Sequence, residues 1–226
     1  DAFLYVGEEN KKYYLHYGVK ENRLYPGLHC INTPFFSKQF KNLTDNSKSV
    51  NIGFAGKFID IKQPLLLLKA INQSKYKSSI NPIFIGDGPL KKEIEKFSQS
   101  NNINVQFVGF LNQTEIVDKG YNLIDLLILP SRSETWGLVV NEVMTGGIPC
   151  IVSNTVGCHS DLIEEGKTGF TFKSGDLNDL SKKIDLFIEL KKNKTSFSLN
   201  VLTKIEKYSL KNTVKGYLNI LKTVSR

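Results

Sequence analysis

From residue 50 onward, short apolar runs alternate with amphipathic stretches, and this alternation constrains the fold more than any other feature. The runs have strand length and lie at residues 50–56, 81–86, 104–110, 125–130, 149–153 and 168–173. Helical patterns separate them at residues 63–75, 90–100, 114–122, 137–145 and 160–164. Strands that are apolar on both faces and joined by helices predict a parallel sheet covered on both sides. We therefore expect an α/β fold with a doubly wound parallel sheet of about six strands and helices on both faces.

The two ends of the chain depart from this rhythm. Residues 1–7 predict a strand, residues 8–19 a helix, and residues 25–36 an irregular aromatic connector. A polar linker is expected at residues 42–49, and the chain becomes helical again from residue 177. The sequence opens without an initiator Met or a signal peptide, so we expect it to be a piece of a longer protein.

The charge and cysteine content narrow the range of partners. The net charge is +8, and residues 182–226 hold 11 Lys or Arg against three acidic residues. This region fits either a solvated helical face or a weak contact with anionic lipid, and no recognised nucleic-acid motif accompanies it. The three cysteines follow no metal-ligand spacing, so we expect a cytoplasmic protein without a metal site. No run approaches the roughly 18 apolar residues of a membrane span.

Two segments resemble phosphate-binding motifs, but each lacks a feature that the motif requires. "GDGPLK" at 86–91 begins like a dinucleotide fingerprint, but Lys91 stands where the third glycine is required. "GKT" at 166–168 resembles the end of a phosphate loop, but a strand follows it where a helix is needed. Both are interpreted as turns.

The segment "SRSETWGLVVNEVMTGGIPCIVSN", residues 131–154, holds two glutamates either side of seven mostly apolar residues. The preceding strand ends at Pro130, so Glu134 lies on a loop at the ligand-binding edge of the sheet. A helix beginning near Gly137 would direct the positive end of its dipole at this edge. Glu142, one to two turns further on, could bind a neutral diol.

Two lysines supply the cations that an anionic ligand would need beside these carboxylates. Lys57 and Lys62 lie in "GKFIDIK", directly after the first strand of the predicted sheet. The carboxyl ends of parallel strands meet at one edge, so these lysines could reach a pyrophosphate from the side opposite the helix start. The hypothesis requires that the lysines lie beside that helix and that Glu142 does not face the apolar interior.

These motifs, in this order, resemble one family of enzymes. The segments that carry the resemblance are "AGKFIDIKQPLLLLKA", "IFIGDGPLKKEIE", "VQFVGFLNQTEI", "LLILPSRSETWGLVVNEVMTGGIPCIVSN" and "DLIEEGKTGFTF". Over residues 50–190 the chain resembles the Rossmann-like donor domain of retaining glycosyltransferases of family 4, which have the GT-B fold. The resemblance implies three parts: the end of the acceptor domain and the hinge at 1–45, the donor domain at 46–190, and C-terminal helices at 191–226.

The resemblance also implies roles for individual residues. Lys57 and Lys62 match the residues that hold the nucleotide diphosphate, Glu142 matches the one that binds the ribose, and Glu134 matches the one that faces the transferred sugar. The other implied donor-binding residues are Gly56, Leu111, Ile116, Thr135, Trp136, Gly137, Leu138 and Val139. Of these, Leu111 and Ile116 would form the wall of the base pocket. Trp136 could instead be a packing residue.

The implied reaction transfers a sugar from a nucleotide diphosphate sugar to a saccharide or glycolipid acceptor with retention of configuration, as in polysaccharide biosynthesis. No metal is expected, because no Asp-x-Asp motif occurs in the sequence. A nucleotide-sugar epimerase of the same fold and a non-catalytic nucleotide-sugar-binding module are the alternatives. We expect the chain by itself to transfer little sugar, and we expect a location in the cytoplasm or at the cytoplasmic face of the membrane.

Overall fold

The computed structural model describes residues 1–41, 49–193 and 196–224, so the predicted linker lies outside them except for its last residue. Within these ranges the strands are β1 (Phe3–Tyr5), β2 (Leu24–Pro26), β3 (Val50–Ala55), β4 (Ile80–Ile85), β5 (Gln106–Gly109), β6 (Leu126–Leu129), β7 (Cys150–Ser153) and β8 (Gly169–Phe172). The helices are α1 (Glu8–His16), α2 (Thr33–Ser37), α3 (Pro64–Gln73), α4 (Lys91–Ser100), α5 (Ile116–Lys119), α6 (Leu138–Met144), α7 (His159–Leu162), α8 (Leu177–Lys192), α9 (Ser198–Glu206) and α10 (Leu210–Val224). None of these helices is long and apolar enough to cross a membrane.

Six strands form a parallel sheet in the order β5-β4-β3-β6-β7-β8. The chain moves outward from β3 to β5, then returns to the other side of β3 at β6. This reversal places the topological switch point between β3 and β6, and ligands of doubly wound sheets bind at such a point, outside the carboxyl ends of the strands. The predicted α/β fold and its six-stranded, Rossmann-like sheet are confirmed.

Helices cover the sheet and exclude water from its central strands. Among the helices that cover the sheet, α3 packs against α4 and α8, and α6 packs against α9. Every residue of β6 and β7 is buried. Burial of alternate side chains on both faces explains why these strands are continuous apolar runs in the sequence.

The loop after β4 supports the loop after β3. The Phe58 N–H donates to the Asp87 carbonyl oxygen at 2.9 Å, and the Leu90 N–H donates to the Phe58 carbonyl oxygen at 3.1 Å. A Cβ on Gly86 would lie 2.0 Å from the Gly56 carbonyl oxygen, so the backbones meet where only glycine fits. Residues 86–90 therefore form a tight turn that leads into α4, which begins at Lys91, in agreement with the interpretation of this segment from sequence.

The N-terminal segment forms a second, two-stranded parallel sheet from β1 and β2. Helix α10 packs against this small sheet, where the Thr213 hydroxyl donates to the Leu28 carbonyl oxygen at 2.7 Å. A Cβ on Gly216 would lie 1.7 Å from the Pro26 carbonyl oxygen, which shows how closely the helix approaches β2. Helix α9 instead packs on α6, one of the helices that cover the large sheet. The two C-terminal helices therefore pack against different parts of the fold.

Two predicted segments differ in extent from the structure. The connector predicted as irregular contains β2 and the short helix α2, whose first turn is capped by Asn32 Oδ1 accepting from the Phe35 N–H at 3.3 Å. The helix predicted at 114–122 is wrong in length, because α5 spans only Ile116–Lys119 and, after Gly120, a single 3-10 turn follows over Tyr121–Leu123. Short helical turns give too few periods for a sequence pattern to fix their bounds.

Candidate active site

The loops that follow β3 and β6 meet at the switch point of the sheet. The Arg132 N–H donates to the Ile61 carbonyl oxygen at 2.8 Å, which joins the two loops. Beside this bond Lys62 forms an ion pair with Glu134, and the two side chains are 24% and 22% exposed. Burial lowers the pKa of Lys62. A partly desolvated cation and carboxylate thus lie side by side at the carboxyl edge of adjacent strands.

Backbone hydrogen bonds fix the position of the Glu134 loop. The Gly157 N–H donates to the Glu134 carbonyl oxygen at 2.9 Å, and the Cys158 N–H donates to the Trp136 carbonyl oxygen at 3.0 Å. A Cβ on Gly157 would lie 2.0 Å from the Thr135 carbonyl oxygen. The loop after β7 therefore holds the main chain of the Glu134 loop from behind, while Thr135 is exposed at its surface.

Helix α6 begins directly after this loop. Gly137 is its N-cap, with φ 97° and ψ 59°, in the left-handed region that favours glycine. No side chain caps the helix, so its first N–H groups have no side-chain partner among the described residues. Because α6 has only seven residues, its dipole is small. We therefore expect Lys62 to contribute more than the helix dipole to the attraction of an anionic ligand.

Glu142 lies on α6, half-buried, and its carboxylate accepts a 2.5 Å hydrogen bond from the Tyr121 hydroxyl. Burial raises the pKa of Glu142, and the bond from Tyr121 partly offsets that rise. Glu142 is therefore directed towards Tyr121, which is 1% exposed in the core, and the Tyr121 hydroxyl supplies the carboxylate with a polar partner there. Among the described residues this hydroxyl is the one group that hydrogen-bonds to the carboxylate, so the second oxygen can accept a bond from a ligand.

The residues predicted for the base pocket lie next to this pair. A Cβ on Gly120, which precedes Tyr121, would lie 3.2 Å from Leu111 Cδ1 and 2.6 Å from the Ile116 carbonyl oxygen. Leu111 and Ile116 are both half-buried against the core. Leu111 and Ile116 thus lie beside Gly120, the residue next to the hydrogen-bond partner of Glu142.

The remaining predicted residues lie on the loop after β3 and in the first turn of α6. Lys57 is exposed, and its side chain makes no hydrogen bond or ion pair with any described residue. Gly56 connects β3 to this loop with φ 152°. In the first turn of α6, Leu138 is 43% exposed and Val139 is half-buried. The structure brings Lys62 to Glu134, whereas Lys57 in the same loop has no partner among the described residues.

Trp136 differs from the role implied for it at the donor. Its side chain is 5% exposed, and its Nε1–H donates to Asn141 Oδ1 at 2.8 Å. The ring packs against His29 and Tyr208, with centroids 5.0 Å and 6.1 Å away. Of the two roles considered from sequence, these contacts are those of a packing residue, because the indole faces the interior and not the crevice.

Sequence reasoning missed three polar residues of this region. Arg132 is an exposed cation on the Glu134 loop, and its position just after a strand could have revealed it. Tyr121 and Asn141 carry no such signal, since their importance comes from contacts with Glu142 and Trp136 in the folded chain.

We expect Glu142→Gln to stabilise the ligand-free chain at neutral pH. When folding raises the pKa of a carboxyl, the folded chain becomes less stable as the pH increases through that pKa, because the buried group must then ionise. Removal of the charge therefore stabilises the folded chain above that pH. At about pH 8 the melting temperature should rise by about 2–4 °C, and the gain should vanish near pH 4. Thermal unfolding at both pH values measures this, and a lower melting temperature at pH 8 would contradict the desolvation argument.

Comparisons with known proteins identify the family and support the fold. Residues 35–202 match the family described as "Glycosyl transferases group 1". Sulfoquinovosyl transferase SQD2 of Arabidopsis thaliana is 33% identical over 153 residues, which are 66% of this chain and 29% of that protein. The apo form of the lipopolysaccharide outer core galactosyltransferase WaaB superposes with a TM-score of 0.82 at 18% identity, over 99% of this chain and 62% of that one.

A further solved structure, Anabaena HepE in complex with UDP, superposes with a TM-score of 0.78 at 18% identity, over 99% of this chain and 63% of that one. This chain therefore spans less than two thirds of the length of each of these proteins. The match to the family extends over most of the chain and includes Lys57, Lys62, Glu134 and Glu142. With its GT-B-like parallel sheet, this chain belongs to the group 1 glycosyltransferases.

Proposed function

We propose that this chain is the donor-binding half of a retaining, family 4 glycosyltransferase. It binds a nucleotide diphosphate sugar, whose sugar is transferred to a saccharide or glycolipid. The observation that carries the proposal is the ion pair between Lys62 and Glu134 across the switch point of the sheet. Glu142, paired with Tyr121, and the apolar residues beside Tyr121 would bind the ribose and the base that follow the diphosphate.

The proposed mechanism follows from the charges at this point. The bond between the anomeric carbon and the phosphate oxygen breaks, and its electron pair goes to the departing diphosphate. Lys62, with Lys57, stabilises that charge, and one such preorganised donor contributes about 3 kcal/mol to a transition state. The acceptor oxygen bonds to the anomeric carbon from the same face, which retains configuration, and its proton passes to the departing phosphate oxygen.

Glu134 orients the sugar and supports the positive charge that develops at the anomeric carbon. In the ligand-free chain this carboxylate is paired with Lys62. A diphosphate entering the crevice would share the Lys62 ammonium with Glu134, since an ammonium has three donors. The same lysine would then hold the leaving group next to the carboxylate that faces the sugar.

Metal independence is part of the proposal, because two lysines provide the positive charge that a divalent cation would otherwise supply. Nucleotide affinity should therefore be unchanged by excess EDTA. The acceptor would bind mainly to a part of the protein that this chain does not include.

Because residues 182–226 carry an excess of positive charge, we also propose that they make weak contact with an anionic membrane at its cytoplasmic face.

A thermal-shift panel with UDP, GDP and ADP tests the proposed function. We expect one diphosphate to stabilise the chain, by about 2.7 kcal/mol at a ligand concentration 100 times its dissociation constant. No response to any of the three would overturn the donor-site assignment. In a protein that contains both halves, an epimerase would convert the donor sugar without an acceptor, and a binding module would leave it unchanged.

A further inference from the structure

The Trp136 side chain lies in an enclosed site formed by three separate parts of the chain. Its Nε1–H donates to Asn141, a residue with no exposed surface. The Asn141 amide in turn donates to the His29 carbonyl oxygen at 3.3 Å. A buried indole N–H and a buried amide thus satisfy each other and reach across to the N-terminal segment.

The N-terminal segment also closes the site from a second side. A Cβ on Gly7 would lie 2.3 Å from Trp136 Cζ3, so the backbone there is pressed against the indole. The next residue, Glu8, donates its N–H to the Asp161 carboxylate at 3.0 Å. The start of α1 is therefore bound to α7 directly beside the Trp136 ring.

The turn between α9 and α10 forms a third wall. Tyr208 packs against the indole and donates its hydroxyl to Asp161 Oδ1 at 3.0 Å. Asp161 is 3% exposed and accepts bonds from both terminal parts of the chain. Contacts from both terminal parts of the chain thus converge on Trp136 and Asp161.

The hydrogen bond from Trp136 to Asn141 also lies between the two functional glutamates in sequence. Trp136 follows Glu134 by two residues on the same loop, and Asn141 immediately precedes Glu142 on α6. The bond therefore ties the sugar-facing loop to the helix that carries the ribose-binding glutamate. An aromatic residue without the hydrogen bond would fill the same space but would hold the Glu134 loop less firmly at its distance from α6.

We propose that Trp136 is a positioning residue, through which the N-terminal segment and the C-terminal turn set the placement of Glu134 relative to Glu142. This inference rests on the proposed function. It predicts that contacts to the sugar depend on the indole N–H, whereas contacts to the diphosphate and ribose, made by Lys62 and Glu142, do not.

The test compares two ligands on the 226-residue chain. Isothermal titration measures the affinity for the diphosphate that the panel selects (UDP, GDP or ADP) and for its glucose conjugate. In Trp136→Phe and Asn141→Ala, affinity for the conjugate should fall by about tenfold while affinity for the diphosphate stays within about twofold. Phe187→Leu, a buried aromatic change in α8 that packs against Phe197, is the matched control and should lower stability without changing either affinity.

Trp136 is the only tryptophan, so its fluorescence gives an independent readout in Asn141→Ala. The conjugate should shift its emission more than the diphosphate does in the wild-type chain, and the difference should shrink in the variant. Equal weakening of both ligands, or no weakening in folded variants, would overturn the positioning role, as would a wild-type chain that gains no affinity from glucose. A wild-type chain that binds none of the three diphosphates would overturn the proposed function itself.

Discussion

Lys62→Ala is expected to weaken nucleotide diphosphate binding by about 30- to 100-fold, since a hydrogen bond to a charged group contributes about 1.5–3 kcal/mol. Two effects add. The variant loses a cation that is only 24% exposed, and it leaves the Glu134 carboxylate unpaired next to the incoming phosphates. Isothermal titration at constant salt measures the change, because charge contacts weaken as ionic strength rises.

Two control variants sharpen this test. Lys57→Ala removes a cation from the same loop, but an exposed one without a partner in the described chain, so we expect a loss of only about three- to tenfold. Lys62→Arg keeps the charge and should recover much of the affinity. A loss in Lys62→Ala no greater than that in Lys57→Ala would show that the ion pair is not the phosphate site.

Glu134→Gln is expected to have opposite effects on binding and on transfer. The substitution removes a negative charge beside the diphosphate and releases Lys62 from its ion pair, so affinity for the free diphosphate should rise by about three- to tenfold. Sugar transfer, measured in a protein that includes the acceptor half, should fall by about 100- to 1000-fold, because the carboxylate no longer supports the developing positive charge.

The opposite signs separate a catalytic effect from a folding defect, which would lower both quantities. Gln has nearly the shape of Glu and can still accept a hydrogen bond from Lys62, so the loop should keep its conformation. Thr135→Ala, a change at an exposed neighbour on the same loop, is the control for general disturbance. Loss of diphosphate binding in Glu134→Gln would contradict the assignment of Glu134 to the sugar.

The sequence determined the fold class and the edge of the sheet at which the site lies. Its apolar runs and helical patterns are local properties, and each strand of the large sheet was predicted to within a few residues. Because parallel strands all end at the same edge, Lys62 and Glu134 had to lie on that edge whatever the strand order. That constraint is geometric and needs no knowledge of side-chain contacts.

Only the tertiary structure decided which of these residues meet. The order of strands puts β3 next to β6, and this adjacency brings Lys62, and not Lys57, into contact with Glu134. The bond between Tyr121 and Glu142 and the burial of Trp136 by Gly7, His29 and Tyr208 join residues far apart in the chain. Hydrophobic periodicity records which face of an element is buried, but not which distant side chain covers it, and for that physical reason the sequence could not reveal these contacts.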